Sequence, residues 1–162
     1  MPAGVEIERK FLLSALPPAL AFARRKAIVQ GYLAIDGATE VRVRRTPDGA
    51  TLTIKHGGGE VRVEEELALG ERQADALWKL TEGRRVQKTR REMHVDGLLV
   101  EVDEFVGALD GLIVAEIEFD DEQAARGFMP PAWFGREVTG EAAYANRSLS
   151  ERGLPDAETA EG

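Results

Sequence analysis

Charged residues of both signs recur in this chain at the two-residue spacing of a β-strand, and they are of the kinds that handle phosphate and metal. Glu6-x-Glu8-x-Lys10 opens the series. Arg42-x-Arg44, Lys55, Arg62-x-Glu64-x-Glu66, Lys88-x-Arg90-x-Glu92, Glu101-x-Asp103 and Glu116-x-Glu118 follow. Side chains two apart on a strand share a face, so each group forms a row, with Ile7, Val41, Val43, Leu52, Ile54, Val100, Val102, Ala115 and Ile117 on the reverse side. Arg supplies a forked set of donors and Lys a point charge for phosphate oxygens, while clustered carboxylates supply the hard oxygen ligands that magnesium and manganese prefer. Together they fit a metal-bound polyphosphate. A solvated sheet face would mix Ser, Thr, Asn and Gln among its charges, and these rows nearly lack them. Charge at such density is costly to desolvate unless paired or coordinated, so the rows point to a site.

The elements that must position these rows follow from the same alternation. Strands are expected over 5–13, 27–34, 39–45, 50–56, 61–69, 84–95, 98–105 and 112–120, with turn signals at Asp36-Gly37, Asp48-Gly49, Gly57-Gly58-Gly59 and Asp96-Gly97. The glycine triplet lacks the Lys-Ser/Thr and helix of a phosphate-binding loop, so it reads as a turn. A short helix opens at Pro17-Pro18. Residues 71–82 form the clearest helix, with Ala74, Leu77 and Trp78 as its core side and Gly83 as its stop, and 141–152 suits a terminal helix. If every apolar face packs outward against helices, the charged faces point inward and the sheet closes. The expected fold is mainly β, of α+β type: an eight-stranded antiparallel β-barrel or tunnel with a charged lumen and helices outside.

Composition sets bounds. The 162 residues fit one domain, taken as 1–152, with 153–162 as an acidic, flexible tail. A net charge of −8 and a pI near 4.9 argue against nucleic-acid binding. No cysteine is present, which excludes disulfides, thiolate chemistry and Cys-based zinc sites and makes the cytoplasm the simplest address. Glu6, Glu8 and the Pro17-Pro18 pair spoil a signal peptide, and no run of apolar residues approaches a membrane span.

The motif series from Val5 to Leu149 resembles the CYTH domain, the triphosphate tunnel metalloenzyme superfamily, with its motifs in the same order. That resemblance implies an eight-stranded antiparallel tunnel that binds triphosphate with Mg2+ or Mn2+, two ions in all. It assigns Lys10, Arg42, Arg44, Lys55, Lys88 and Arg90 to phosphate, and Glu6, Glu8, Glu64, Glu66, Asp103, Glu116 and Glu118 to metal. The catalytic set it implies is Lys88, Glu64 and Glu66, the base for water being Lys88 or a carboxylate beside the second metal. Arg62, Glu92 and Glu101 join as supporting residues on phase alone, and Arg9 lies outside. His56 departs from the Gly that members often carry after the Lys. The function implied is metal-dependent hydrolysis of tripolyphosphate to pyrophosphate and orthophosphate. The alternatives are a class IV-type adenylate cyclase, a thiamine triphosphatase, or a polyphosphate or nucleotide sensor without turnover. Expected partners are the small-molecule substrate and a second copy in a homodimer, with neither nucleic acid nor membrane.

Overall fold

The computed structural model describes residues 5–58 and 61–155. Eight strands, β1 (Val5–Leu12), β2 (Arg25–Asp36), β3 (Thr39–Thr46), β4 (Gly49–His56), β5 (Val61–Leu69), β6 (Arg85–Val95), β7 (Leu98–Phe105) and β8 (Ile113–Glu118), form a closed antiparallel barrel in the order β1-β5-β4-β3-β2-β6-β7-β8. Closure is made by β1, which pairs with β5 through Ile7 opposite Val61 and with β8 through Glu8 opposite Glu118. Among the described residues there are three α-helices: α1 (Glu71–Trp78) and α2 (Glu122–Gly127) lie outside, and α3 (Asn146–Arg152) covers one end of the lumen. Gly59 of the expected glycine turn, residues 1–4 and the tail beyond Pro155 lie outside the described residues.

The outward apolar faces of β1, β7 and β8 carry the main core. Ile7, Phe11, Val100, Val102, Ala115 and Ile117 pack against Leu20, Ala125, Phe128 and Phe134 from the connecting segments. A second cluster lies inside the barrel. Val86, Phe105, Val114 and Leu12 have the same phase as the charged rows and meet Leu149 of α3, closing one end of the lumen with apolar side chains. α1 lies over β3 and β4. The turn that follows it docks at Gly31 of β2, where an added Cβ would collide with Thr81 Oγ1.

Several local expectations differ from the structure. Residues 79–81 tighten into a 3-10 turn, and Trp78 is half-buried beneath the Arg85 guanidinium at 4.5 Å and not a core residue. The terminal helix begins only at Asn146, because Ala145 is extended and frees the Tyr144 carbonyl to accept from Lys10 Nζ at 3.2 Å. The outer face of β5 is bare: Val61, Val63 and Leu67 are exposed beside Ile54, and among the described residues no helix packs substantially on β5. Expected helices on every outward face therefore stop short of β5. Helix α2, capped by Asp121 accepting from the Ala124 N–H at 2.7 Å, follows a segment too polar to show a helical stripe.

Candidate functional site

Strand order places mostly opposite charges on facing walls. In a ring of eight, β1, β5 and β8 stand across from β2, β6 and β3. The first group contributes Glu6, Glu8, Glu64, Glu116 and Glu118, and β3 and β6 contribute Arg42, Arg44, Lys88 and Arg90. These residues, with Lys10, Lys55, Arg62 and Glu101, line one chamber of about 330 Å³. Its lining includes eight acids and eight bases, so a highly charged anion entering it has no excess of fixed positive charge to meet. Any such ligand must bring cations of its own.

The acidic wall is crowded. Glu8 stands directly across the pairing from Glu118, and Glu6 is flanked by Glu64. Burial, reinforced by these neighbouring carboxylates, raises Glu6, Glu8 and Glu118 above the ordinary carboxylate range. Lys55 Nζ offsets part of this, lying 3.0 Å from Glu6 and 3.8 Å from Glu64, and Arg62 lies 3.4 Å from Glu6 and 3.3 Å from Glu8. Burial would also raise Glu116, but Lys10, Lys88, Arg90 and Lys55 outweigh it and hold that carboxyl well below its usual value. With Lys55, Arg62 and Lys10 taking up these oxygens, no three acids among the described residues converge on a point that would hold an ion.

The basic wall is held from behind. Asp103 is 1 % exposed and bonds Lys88 Nζ at 2.7 Å, Arg90 Nε at 2.7 Å and the second Arg90 nitrogen at 2.9 Å. Arg90 also donates to Glu101 at 2.9 Å. Burial pushes the Lys88 ammonium down to about 7, with Asp103 opposing and Arg90 and Arg44 adding to the fall. Burial, with Arg42 and Arg90 adding, lowers Arg44 to about 10. Gln30 accepts from Arg44 at 3.0 and 2.9 Å and donates to the Tyr32 hydroxyl at 3.2 Å. Arg42 Nε is buried with no acceptor among the described residues, a donor that an anionic oxygen would satisfy.

Of the residues expected from sequence, the chamber gathers Glu6, Glu8, Lys10, Arg42, Arg44, Lys55, Glu64, Lys88, Arg90, Glu116 and Glu118, together with Arg62 and Glu101. Three in-phase acids are not brought to it. Glu66 is exposed, because β5 runs past the first described residue of β1, Val5, which pairs with Val63. Asp103 lies behind the wall, and Glu92 lines a separate cavity. Arg9 bonds Glu137 at 2.7 Å and the Ala125 carbonyl at 2.8 Å on the barrel's outside. Sequence reading missed Tyr32 and Glu40, whose strand phase was available, and Asn146 and Arg147, whose approach from α3 is non-local. Asn146 Oδ1 accepts from Lys88 at 3.3 Å, and Arg147 lies 3.8 Å from Glu40 and donates to the Gly37 carbonyl at 2.8 Å.

Comparison with known proteins bears on this arrangement. A family model described as the CYTH domain matches residues 4–153. An inorganic triphosphatase of Nitrosomonas europaea is 42% identical over 147 residues, covering 90% of this chain and 96% of that protein. One of Acetivibrio thermocellus is 39% identical over 149 residues, covering 90% and 93%. The crystal structure of the inorganic triphosphatase NE1496 superposes with a TM-score of 0.69 at 38% identity, over 93% of this chain and 97% of that one. A putative adenylate cyclase from Bacillus halodurans, 21% identical with a TM-score of 0.54 over 76% of this chain and 86% of that one, shares the fold alone.

Proposed function

This chain belongs to the CYTH domain family, and on that premise we propose that it is a metal-dependent triphosphatase hydrolysing inorganic tripolyphosphate to pyrophosphate and orthophosphate. The observation that carries the reading is the facing of an acidic and a basic wall across one lumen. The functional unit is the single domain of 1–152, acting on a small molecule. Among the described residues no helix is long and apolar enough to cross a membrane.

Arg42, Arg44, Lys10, Lys55, Lys88 and Arg90 bind the phosphate oxygens. The unsatisfied Arg42 Nε takes one of them, and Lys10 and Lys88 exchange the Tyr144 carbonyl and Asn146 for others. The acid wall would take a divalent cation once Lys10, Lys55 and Arg62 turn from its oxygens to phosphate, because burial, with repulsion among neighbouring carboxylates adding, raises Glu6, Glu8 and Glu118 and a cation would offset both. Glu6, Glu8, Glu116 and Glu118 would hold magnesium or manganese, which when bound supplies charge neutralisation and acidifies water. Glu64, which lines the chamber, orients the attacking water. Glu66, outside it, has no part in this reading, and Asp103 serves as counter-ion to Lys88 and Arg90. The water oxygen bonds to the terminal phosphorus as the bond from that phosphorus to the bridging oxygen breaks. Pyrophosphate departs on the bridging oxygen, and the released proton passes to the carboxylate wall. Alignment and fixed charge supply most of the acceleration.

The lining carries one aromatic residue, the buried Tyr32, and otherwise mostly charge, with little apolar surface to seat adenine or thiamine. This favours the inorganic substrate over a nucleotide. A phosphate-release panel with tripolyphosphate, pyrophosphate, ATP and thiamine triphosphate, each with Mg2+ or Mn2+, tests the reading. Tripolyphosphate is expected to turn over fastest, with no cyclic AMP from ATP. Faster release from ATP, cyclic AMP formation, or binding of tripolyphosphate without turnover would overturn it.

A further inference from the structure

The chamber does not end the lumen. Along β6 the inward positions run from Val86 in the apolar plug, through Lys88 and Arg90 in the chamber, to Glu92 and His94 beyond it. Those last two line a second cavity of about 560 Å³ with Arg24, Arg25 and Lys26, and Arg90 is a wall common to both spaces. Arg90 and Lys26 are paired across β6 and β2. This bay opens at the barrel end that carries the start of β2 and the β3–β4 turn, opposite to the end covered by α3.

Its charge is unlike that of the whole molecule. In a chain of net charge −8, four cations meet two anions there, Asp48 and Glu92. Lys26 has a partner, the exposed Asp48 at 3.0 Å, whereas among the described residues no carboxylate lies within ion-pair distance of Arg24 or Arg25. Arg90 is fixed by three N–H bonds to Asp103 and Glu101, so two of its five donors stay available to an oxygen anion. A basic opening next to a charged chamber attracts a small anion and lowers its barrier to leaving.

We infer that the bay is an orthophosphate site and the exit for that product. Phosphate released beside Arg90 passes to Arg24, Arg25 and Lys26 and leaves at this end, without passing the pyrophosphate still held in the chamber. The origin of the phosphate rests on the triphosphatase reading; the anion site itself does not.

The chain has two histidines, which makes the test direct. His94 lines the bay, and His56 sits outside both cavities, 2.7 Å from the Thr39 hydroxyl. Inorganic phosphate is titrated into the full-length protein while both imidazoles are followed by NMR. The His94 resonances are expected to move saturably and those of His56 to stay. Arg24→Glu with Lys26→Glu should abolish the His94 response, weaken inhibition by added phosphate about 5-fold or more, and leave KM for tripolyphosphate within about 2-fold. Arg42→Ala, in the chamber, should leave the His94 response intact. Should the charge reversal lower the melting temperature sharply, Arg24→Gln with Arg25→Gln replaces it, with the same expectations. A His94 signal indifferent to phosphate, or a response that survives the bay variants but vanishes in Arg42→Ala, overturns the inference. Failure of the unaltered protein to hydrolyse tripolyphosphate counts instead against the functional reading, so the two failures are distinguishable.

Discussion

Replacing Asp103 by Asn separates a counter-ion from a metal ligand. The carboxylate is buried against two cations, 2.7 Å from Lys88 Nζ and bidentate on Arg90. Asn keeps the shape and removes the charge. Arg90 retains Glu101, but Lys88 is left with neutral partners, the new amide, Asn146 at 3.3 Å and the Phe105 ring at 5.4 Å. Stranding one member of a buried pair costs about 3–5 kcal/mol. For a domain of this size that is a fall of about 6–20 °C in Tm.

The loss should depend on pH, because Lys88 already sits near 7 and Asp103 is what opposes the fall. Its folded value lies below the unfolded one, so the unfolded chain holds more protons between the two. The contribution to stability therefore rises with pH above about 7. Removing Asp103 lowers the folded value further. The deficit of the variant is then full only below its own lowered value, shrinks as pH rises from there towards about 7, and above that is down to the worth of lost hydrogen bonds, about 1–3 kcal/mol. Thermal melts across mildly acidic to alkaline pH, paired with Mg2+ titrations, read both effects. A variant that melts like the parent at every pH but binds Mg2+ at least about 10-fold more weakly would refute the reasoning and return Asp103 to the metal set.

Glu116→Gln with Glu118→Gln should lower kcat for tripolyphosphate by more than about 100-fold, measured by phosphate release with Mg2+. Mg2+ alone, at a hundredfold excess over Kd, should stabilise the parent by about 2.7 kcal/mol and not this variant. Because Glu6, Glu8 and Glu118 are held above the usual range, that stabilisation should be present at alkaline pH and fade as pH falls and they protonate, in scanning calorimetry. Arg42→Ala should raise KM for tripolyphosphate by about 10- to 150-fold, the worth of one charge-assisted hydrogen bond, in steady-state kinetics. Gly31→Ala should cost about 1–3 kcal/mol in denaturant melts by forcing Thr81 off β2, with kcat of the folded fraction unchanged.

Periodicity read the fold closely because each strand repeats the same two-residue code, and eight repetitions leave few architectures. It also found the chamber, since phase decides which face a residue takes. Phase does not give depth along the barrel axis. Glu66, Glu92 and Asp103 share the inward phase of Glu64, Arg90 and Glu101, yet they end up exposed beyond the start of β1, in the far bay, and behind the wall. Val86 shares the phase of Lys88 and Arg90, but the plug it makes with Phe105 is not legible, since apolar residues at one end look in sequence like a lapse in the pattern. Tyr32 had no charged repeat around it, whereas Glu40 stands in phase with Arg42 and Arg44 and was open to the same reading. Asn146 and Arg147 reach the chamber only because the chain breaks at Ala145, which no local signal in 141–152 announces.

The position of β1 between β5 and β8 governs how the protein comes into being. The second edge of β1 is locked late, because Glu8 finds its partner only when Glu118 has been made. Until then β1, β5, β4, β3, β2, β6 and β7 can pair with their neighbours, but as a curling sheet whose open edges are β1 and β7. Such late, long-range closure makes for slow folding and a window in which those edges can pair with other chains. It also means that the acidic wall is completed only in the closing step, since Glu116 and Glu118 arrive with β8 beside Glu8 of β1. A nascent chain cut before β8 carries the whole basic wall and lacks the Glu116 and Glu118 that complete the acidic one.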